Sequence, residues 1–410
     1  VQPNPIRAAA RGGTFRALRH RDFRLLWIGL VVSAIGTWMQ IVAQALLVLQ
    51  ISGGSAVALG AVSLAQALAF FAFSLFGGSV ADRVDKRRLL LMTQTLCMFL
   101  AILLGVLTAT HVVTVWMVVA LAFLTGAALS FDQPTRAALV PELVPKEELL
   151  GALSLQSIVF TGASTIGPAI AGFSLASIGY AGNFFANAAS YLAVTGALLA
   201  MRSRRSDLPP RTPTPRAIGD ALAAVRADSV LPRMLLLFGA LLFFGPSPAL
   251  LLPVMATRVL HVNSAHLGVL FAASGAGTVV GGLALASAGD PRHKARIALA
   301  AAFLWSFALA GFAVSRSFFP ALGALLLLGI FQVGVSATVI TLLQTRVAKT
   351  MRGRVMSLNT LLIMGVRPLG DFAAGGAIAA FGAPRTAIAS AVLVAAVAFA
   401  VTSQPALRRA

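Results

Sequence analysis

Charge is what this sequence has least of. Of its 410 residues only 11% are Asp, Glu, Lys or Arg, and only 12 are acidic. An ordinary soluble domain carries roughly 25% charged residues. So little charge cannot coat a water-facing globule. With 58% hydrophobic residues and a mean hydropathy of +0.90, the apolar excess must face lipid. Cysteine is down to one, Cys97, in the apolar run 95–104. That excludes an internal disulfide framework and a cysteine metal site, and Cys97 reads as a small core residue. The five histidines, at 20, 111, 261, 266 and 293, form no His-x-x-x-His pair. His261 and His266 bracket one loop, but two residues do not make a metal centre, and no metal is expected. No Walker loop occurs. Gly275-x-Gly277-x-x-x-Gly281 lies inside a hydrophobic helix without a preceding strand, so it is refused as a nucleotide loop. ATP is therefore not the evident power source, and no cofactor is expected. A membrane-embedded enzyme needs paired carboxylates or His ligands at one depth, and these are missing too. The segment 1–21 is basic and polar with no apolar core, so no cleavable leader is expected.

What is present is length of apolar chain. A spanning helix needs about 20 mostly apolar residues. Candidates lie near 23–49, 56–81, 89–110, 112–131, 152–175, 182–201, 233–256, 266–288, 296–315, 318–343, 355–380 and 386–402. These are twelve stretches with short connections, except for 202–232. That stretch holds Pro209, Pro210, Pro213 and Pro215 and then a mixed-charge run from Arg216 to Asp228. It reads as a linker carrying a short amphipathic surface helix. The expected organisation is 1–201 (six helices), 202–232 (cytosolic linker) and 233–410 (six helices).

The basic residues test this count. With a cytosolic N-terminus, only Arg258, Arg316 and Arg385 of the 32 Lys and Arg fall on the far side, and Arg367 falls within a helix. Cytosolic loops carry the Lys/Arg excess, and one missed helix would scramble the sorting. Both termini are thus expected in the cytosol, in the inner membrane of a bacterium. The net charge of +20 belongs to loops beside an anionic leaflet. No nucleic-acid partner is implied.

The halves echo each other. The loop 78–88 contains Gly78, Asp82, Arg83, Asp85, Lys86, Arg87 and Arg88, and the loop 289–296 contains Gly289, Asp290, Arg292, Lys294 and Arg296. Gln-Pro-Thr-Arg at 133–136 is echoed by Gln-Thr-Arg at 344–346. Duplicated halves build many secondary transporters, with the substrate site at mid-membrane.

Gly78-x-x-x-Asp82-Arg83-x-x-Lys86-Arg87 resembles the loop signature of the major facilitator superfamily, with Asp85 where the broad consensus has Gly. Gly167-Pro168-x-x-Ala171-Gly172 resembles the signature of its antiporters, with Ala171 replacing one Gly. The Arg that many drug antiporters carry in the fourth helix is missing from 112–130. Phe23-Arg-Leu-Leu-Trp27, Gly36-Thr-Trp-Met-Gln40, Asp132-Gln-Pro-Thr-Arg136 with Val140-Pro-Glu-Leu-Val144, and Arg352-Gly-Arg-Val-Met-Ser357 resemble the branch of enterobactin exporters and multidrug efflux proteins. The resemblance implies an all-α membrane protein of twelve helices in two pseudo-symmetric halves. It also implies a cytosolic latch at Gly78, Asp82, Arg83 and Arg87. For Lys86 and Arg88 a solvated anchor is the expected role.

An ionisable group inside a membrane marks function by default, because it is costly unless paired or wetted. Asp371 lies well inside the eleventh stretch, with Arg367 one turn earlier on the same face. One reading makes Asp371 a proton-coupling site that Arg367 keeps ionised. The other makes the two a structural ion pair. Asp132, at the cytosolic end of the fourth stretch, is the remaining coupling candidate. Amides and aromatics inside helices should point inward. Helices 1, 4, 7 and 10 line the cavity in the superfamily, so Trp38, Gln40, Gln44, Phe243 and Gln332 are the substrate-cavity candidates. Interhelical hydrogen bonds are the alternative for each. Gly162, Gly167, Gly172, Gly277 and Gly281 are expected at close helix contacts.

The expected function is export of a small, amphipathic, drug-like or siderophore-like molecule by alternating access, in exchange for protons. The partners are the bilayer and that small molecule, and a monomer is expected. An inward permease, a metal-ion exporter of the same fold and a non-transporting receptor are the alternatives.

Overall fold

A computed structural model describes residues 14–202, 216–287, 293–348 and 351–402, without the side chains of a few of them, notably 75–83. The described residues are helical throughout, with no strand. The helices are α1 (Arg21–Ile51), α2 (Ala56–Arg83), α3 (Lys86–Ala109), α4 (Val115–Leu143), α5 (Leu149–Ala200), α6 (Arg216–Arg226), α7 (Leu231–Phe244), α8 (Pro248–Arg258), α9 (Ser264–Ser287), α10 (Lys294–Val314), α11 (Phe318–Thr345), α12 (Arg352–Leu361), α13 (Arg367–Phe381) and α14 (Ala383–Thr402).

Among the described residues, 11 helical stretches are long and apolar enough to cross a membrane. One of these is double. α5 has 52 residues, about 78 Å at 1.5 Å per residue, far more than a ~30 Å hydrocarbon core requires. Gly179 interrupts it with φ 65° and ψ −168°, a conformation that favours glycine. The Asn183 amide donates to the Gly179 carbonyl at 2.8 Å, and Ser174 Oγ donates to Asn183 Oδ1 at 2.7 Å. A side-chain brace thus holds the chain reversal and yields the fifth and sixth of the twelve passes. The seventh pass is also interrupted, between α7 and α8 at Gly245-Pro246-Ser247, and the eleventh holds a π-helical segment, Leu362–Val366.

The chain forms two compact units. One comprises residues 1–44 and 65–212, the other 45–64 and 213–410. In the first, Phe23 and Leu26 of α1, Leu90 of α3, Val140 of α4, and Leu155 and Leu198 of α5 form a fully apolar core. In the second, α9 packs on α11. A Cβ on Gly281 would lie 2.6 Å from the Ile330 carbonyl oxygen, so the two backbones touch, as small residues permit between membrane helices. Gly162 has open space instead of the expected helix contact. Large apolar side chains such as Trp116 and Phe319, 78% and 79% exposed, stand outward where a bilayer would meet them.

Helix ends explain several loop residues. Asp85, which stands where the family consensus has glycine, is the N-cap of α3, its carboxylate accepting from Arg88 N at 2.8 Å. In the second unit, the Arg258 guanidinium donates to the Gly53 carbonyl at 3.2 Å, and Gly54 (φ 85°) leaves it room.

Candidate functional site

In the first unit, Asp132 is almost fully buried. Its Oδ1 accepts from Gln94 Nε2 at 2.7 Å and from Thr93 Oγ1 at 3.1 Å, both on α3, while Oδ2 pairs with Arg136 one turn along α4. Every lone-pair direction that matters is occupied, so the buried charge is neutralised and hydrogen-bonded. Thr93 and Gln94 were not singled out in the sequence, because α4 selects them only once it packs on α3.

A second polar group lies among Gln40, Gln44 and Asn187. Asn187 Nδ2 donates to Gln40 Oε1 at 2.6 Å, and Gln40 Nε2 to Gln44 Oε1 at 3.5 Å. Ser190 Oγ sits 3.1 Å from Asn187 Oδ1. Gly36 permits this approach, since a Cβ there would meet Ser190 and Asn187. Gln40 thus takes part in an interhelical hydrogen bond. Trp38 stands edge-on to Phe160 with centroids 6.1 Å apart, and its Cβ meets the bare face of Gly167, beside Pro168 in α5. Gly172 is buried in the same helix.

Gly78, Asp82 and Arg83 lie in the part of α2 whose side chains are not described. Arg87 is described, and its guanidinium donates to the Leu199 carbonyl at 2.8 Å at the C-terminal end of α5, where a cation complements the helix dipole. Lys86 is ion-paired with Glu142 at 2.8 Å rather than standing solvated.

The second unit brings the remaining candidates together. Ser247 caps α8 and Pro248 occupies its first turn, so the first backbone N–H groups of this half-helix need partners from outside it. Asp371, 5% exposed, answers them, its Oδ1 accepting from Ser247 N at 2.8 Å. The Ser63 side chain, from the start of α2, reaches the same carboxylate. A carboxylate at a helix N-terminus is favoured by the dipole. Neighbouring glycines set the depth. A Cβ on Gly370 would be 2.7 Å from Phe243 Cα, and one on Gly60 2.8 Å from Phe372 Cα. Arg367 lies one turn before Asp371 on the same helix. Among the described residues, however, no ion pair within 4.0 Å joins the two. The expected direct pair is replaced by the Ser247 hydrogen bond. The π-helical turn, with its extra residue, alters the helical phase just before Arg367.

Phe243 lines an apolar groove of about 520 Å³ with Leu222, Leu236, Gly239, Leu358, Leu362 and others. Gln332 lines a different, small cavity of about 30 Å³ beside Trp305 and Phe312. That volume suits one or two waters and not a cargo molecule.

These features describe a helical membrane protein with broken spans and buried acids held by hydrogen-bond donors from neighbouring helices. A family model described as "Transmembrane secretion effector" matches residues 12–409. The chain belongs to this family, within the major facilitator superfamily. Among curated relatives, a staphyloferrin A transporter of Staphylococcus aureus is 26% identical over 337 residues, covering 81% of this chain and 83% of that one. An enterobactin exporter of Citrobacter koseri is 27% identical, covering 79% and 76%. A macrolide efflux protein of Streptococcus pyogenes is 24% identical, covering 85% and 87%. Among solved structures, a bacterial homologue of the lysosomal transporter Spinster aligns with a TM-score of 0.76 at 14% identity, over 93% of this chain and 97% of that one. A bacterial homologue of the iron transporter ferroportin gives 0.72 at 18%, over 94% and 99%. The family member described here is thus a membrane transporter of the major facilitator fold.

Proposed function

We propose that this transporter is a proton-driven exporter of small amphipathic molecules, working by alternating access in a bacterial inner membrane with both termini in the cytosol. The sorting of Lys and Arg to one side supports the orientation. The relatives named as exporters of a siderophore and of a macrolide support the direction and the cargo class.

Proton coupling rests on one observation: Asp371 sits within a span and its carboxylate holds the N-terminal end of a broken helix. When ionised, it binds the Ser247 N–H and the positive end of α8. When protonated, it offers these groups less, so α8 is freer to move. A ligand or proton shifts a conformational equilibrium only by its differential interaction with the two states, and this contact is such a difference. Asp132, paired with Arg136 and hydrogen-bonded to Thr93 and Gln94, ties α4 to α3. The test is Asp371→Asn in everted membrane vesicles. Loss of pH-gradient-driven accumulation with retained downhill movement supports the reading, and unimpaired coupling refutes it.

A further inference from the structure

The apolar groove of about 520 Å³ is lined without a single polar side chain, and all of its residues belong to the second unit. Its wall follows α7 from Pro232 to Phe244, about 18 Å of helix at 1.5 Å per residue. One leaflet contributes about 15 Å to a ~30 Å hydrocarbon core, so the groove has the length of one lipid tail. Leu236 and Leu361 form part of its lining and are 60% and 46% exposed. The groove therefore opens on the outer surface, where lipid meets the protein, and does not enclose a cargo. Gly239 leaves it deep, since a Cβ there would find only Leu362 Cδ2, at 3.8 Å, within 4 Å. Lipid tails are as apolar as leucine, so a furrow of this kind selects no lipid by itself.

Selection comes from α6. This helix lies outside the spans and packs on α12. It buries Val225 and presents Leu222 to the groove. Arg226 follows Leu222 by one turn, so the two share a face, and both are exposed. Among the described residues no ion pair or hydrogen bond engages the Arg226 guanidinium. Asp228, the acid nearest to it in sequence, is committed to Val230 N, Leu231 N and Arg346. A free cation thus stands beside the end of an apolar trough, at the end of a span. Basic pockets placed in this way take anionic lipid headgroups, and the guanidinium fork suits a phosphate.

We infer that this groove is a binding site for an anionic phospholipid, with one tail lying along α7 and the phosphate held by Arg226. The inference goes beyond the exporter reading and does not depend on it, because it concerns the lipid-facing side of the second unit. A lipid held there touches α6, α7 and α12 at once and ties the amphipathic helix to the spans beside it.

The test is lipid retention by the full-length protein in dodecyl maltoside, read by native mass spectrometry. The probes are dioleoyl phosphatidylglycerol and dioleoyl phosphatidylcholine, which share their tails and differ in charge. The expected result is a phosphatidylglycerol held about fivefold more tightly than phosphatidylcholine, the gain that one arginine near the membrane surface supplies. Arg226→Gln should abolish that preference. Arg24→Gln, at an exposed arginine of the first unit, should leave it intact. Gly239→Leu fills the groove with a side chain and should cause loss of both lipids. Equal retention of the two lipids by the wild type, a preference that survives Arg226→Gln or disappears in Arg24→Gln, or unchanged retention in Gly239→Leu would each overturn the assignment. If Gly239→Leu does not fold, Leu222→Gln on the exposed face of α6 takes its place, with the same expectation. A protein dimer that carries no lipid and is lost in Gly239→Leu would overturn it by giving the groove to a second copy. Glycerol phosphate that competes as well as the whole lipid would overturn it by removing the tail from the site.

Discussion

Asp371 and Ser247, 124 positions apart, meet at 2.8 Å, carboxylate oxygen to backbone nitrogen, where the seventh span is broken. The contact replaces the hydrogen bond that the break removes from the helix. Asp371→Asn keeps an oxygen acceptor and should unfold within about 1 kcal/mol of the wild type. Asp371→Ala strands a buried N–H and should cost about 1–3 kcal/mol. Thermal unfolding in detergent checks both. A larger loss in Asp371→Asn than in Asp371→Ala would contradict the capping role.

Gly370 and Gly376 form a matched pair on one helix. A Cβ at Gly370 runs into the Phe243 backbone, whereas at Gly376 it meets nothing within 4 Å. Gly370→Ala should cost about 1–3 kcal/mol by overpacking. Gly376→Ala should be neutral, or stabilising by about 0.5–1 kcal/mol. Melting temperatures of the two variants measure the difference.

Gly179 has open space around it, so only its backbone conformation is at stake. Gly179→Ala should destabilise by about 1–3 kcal/mol, the cost of holding a residue with a Cβ in a region that is essentially glycine-only. Gly179→Asn should lose about as much, because the tolerance of Asn for positive φ is confined to left-handed helical ψ values. The same unfolding assay ranks the three.

Asp228 lies outside the spans and caps α7, accepting from Val230 N at 2.7 Å and Leu231 N at 3.0 Å and pairing with Arg346 at 3.3 Å. Burial pushes its carboxyl up, but the two N–H groups and Arg346 outweigh this and hold it below its ordinary value. A depressed pKa contributes stability that is present above the unfolded value and is lost as pH falls through the folded one. Asp228→Ala should therefore cost about 1 kcal/mol at neutral pH. The gap should stay flat down to about pH 5 and close below about pH 4. Unfolding measured across this range tests the sign.

Much of the fold was legible because lipid demands long apolar runs, and these gave the twelve passes and the family motifs. The run 149–200 needed only Gly179 to be read as two. The π-turn of the eleventh pass was not legible, because it leaves no mark in hydropathy; packing of Gly370 and Gly60 on their neighbours accompanies it. Arg367 and Asp371 both fall within the apolar helical stretch Leu358–Phe381. Their i,i+4 spacing suggested a pair, and the spacing gave no hint that Asp371 also meets a backbone N–H freed by a break 124 residues away. The acceptor role of Asp228 was likewise hidden, since capping depends on where α7 starts, although the echo of Gln-Thr-Arg at 344–346 pointed to Arg346.

Everted vesicles with an imposed inside-acid pH gradient test the central claim most directly, with a labelled macrolide as cargo. The account expects cargo to accumulate in vesicles bearing the wild type, to collapse when the gradient is dissipated, and to lose its dependence on the gradient in Asp371→Asn. Accumulation that ignores the gradient in the wild type, or that persists at full gradient-driven strength in Asp371→Asn, would contradict it.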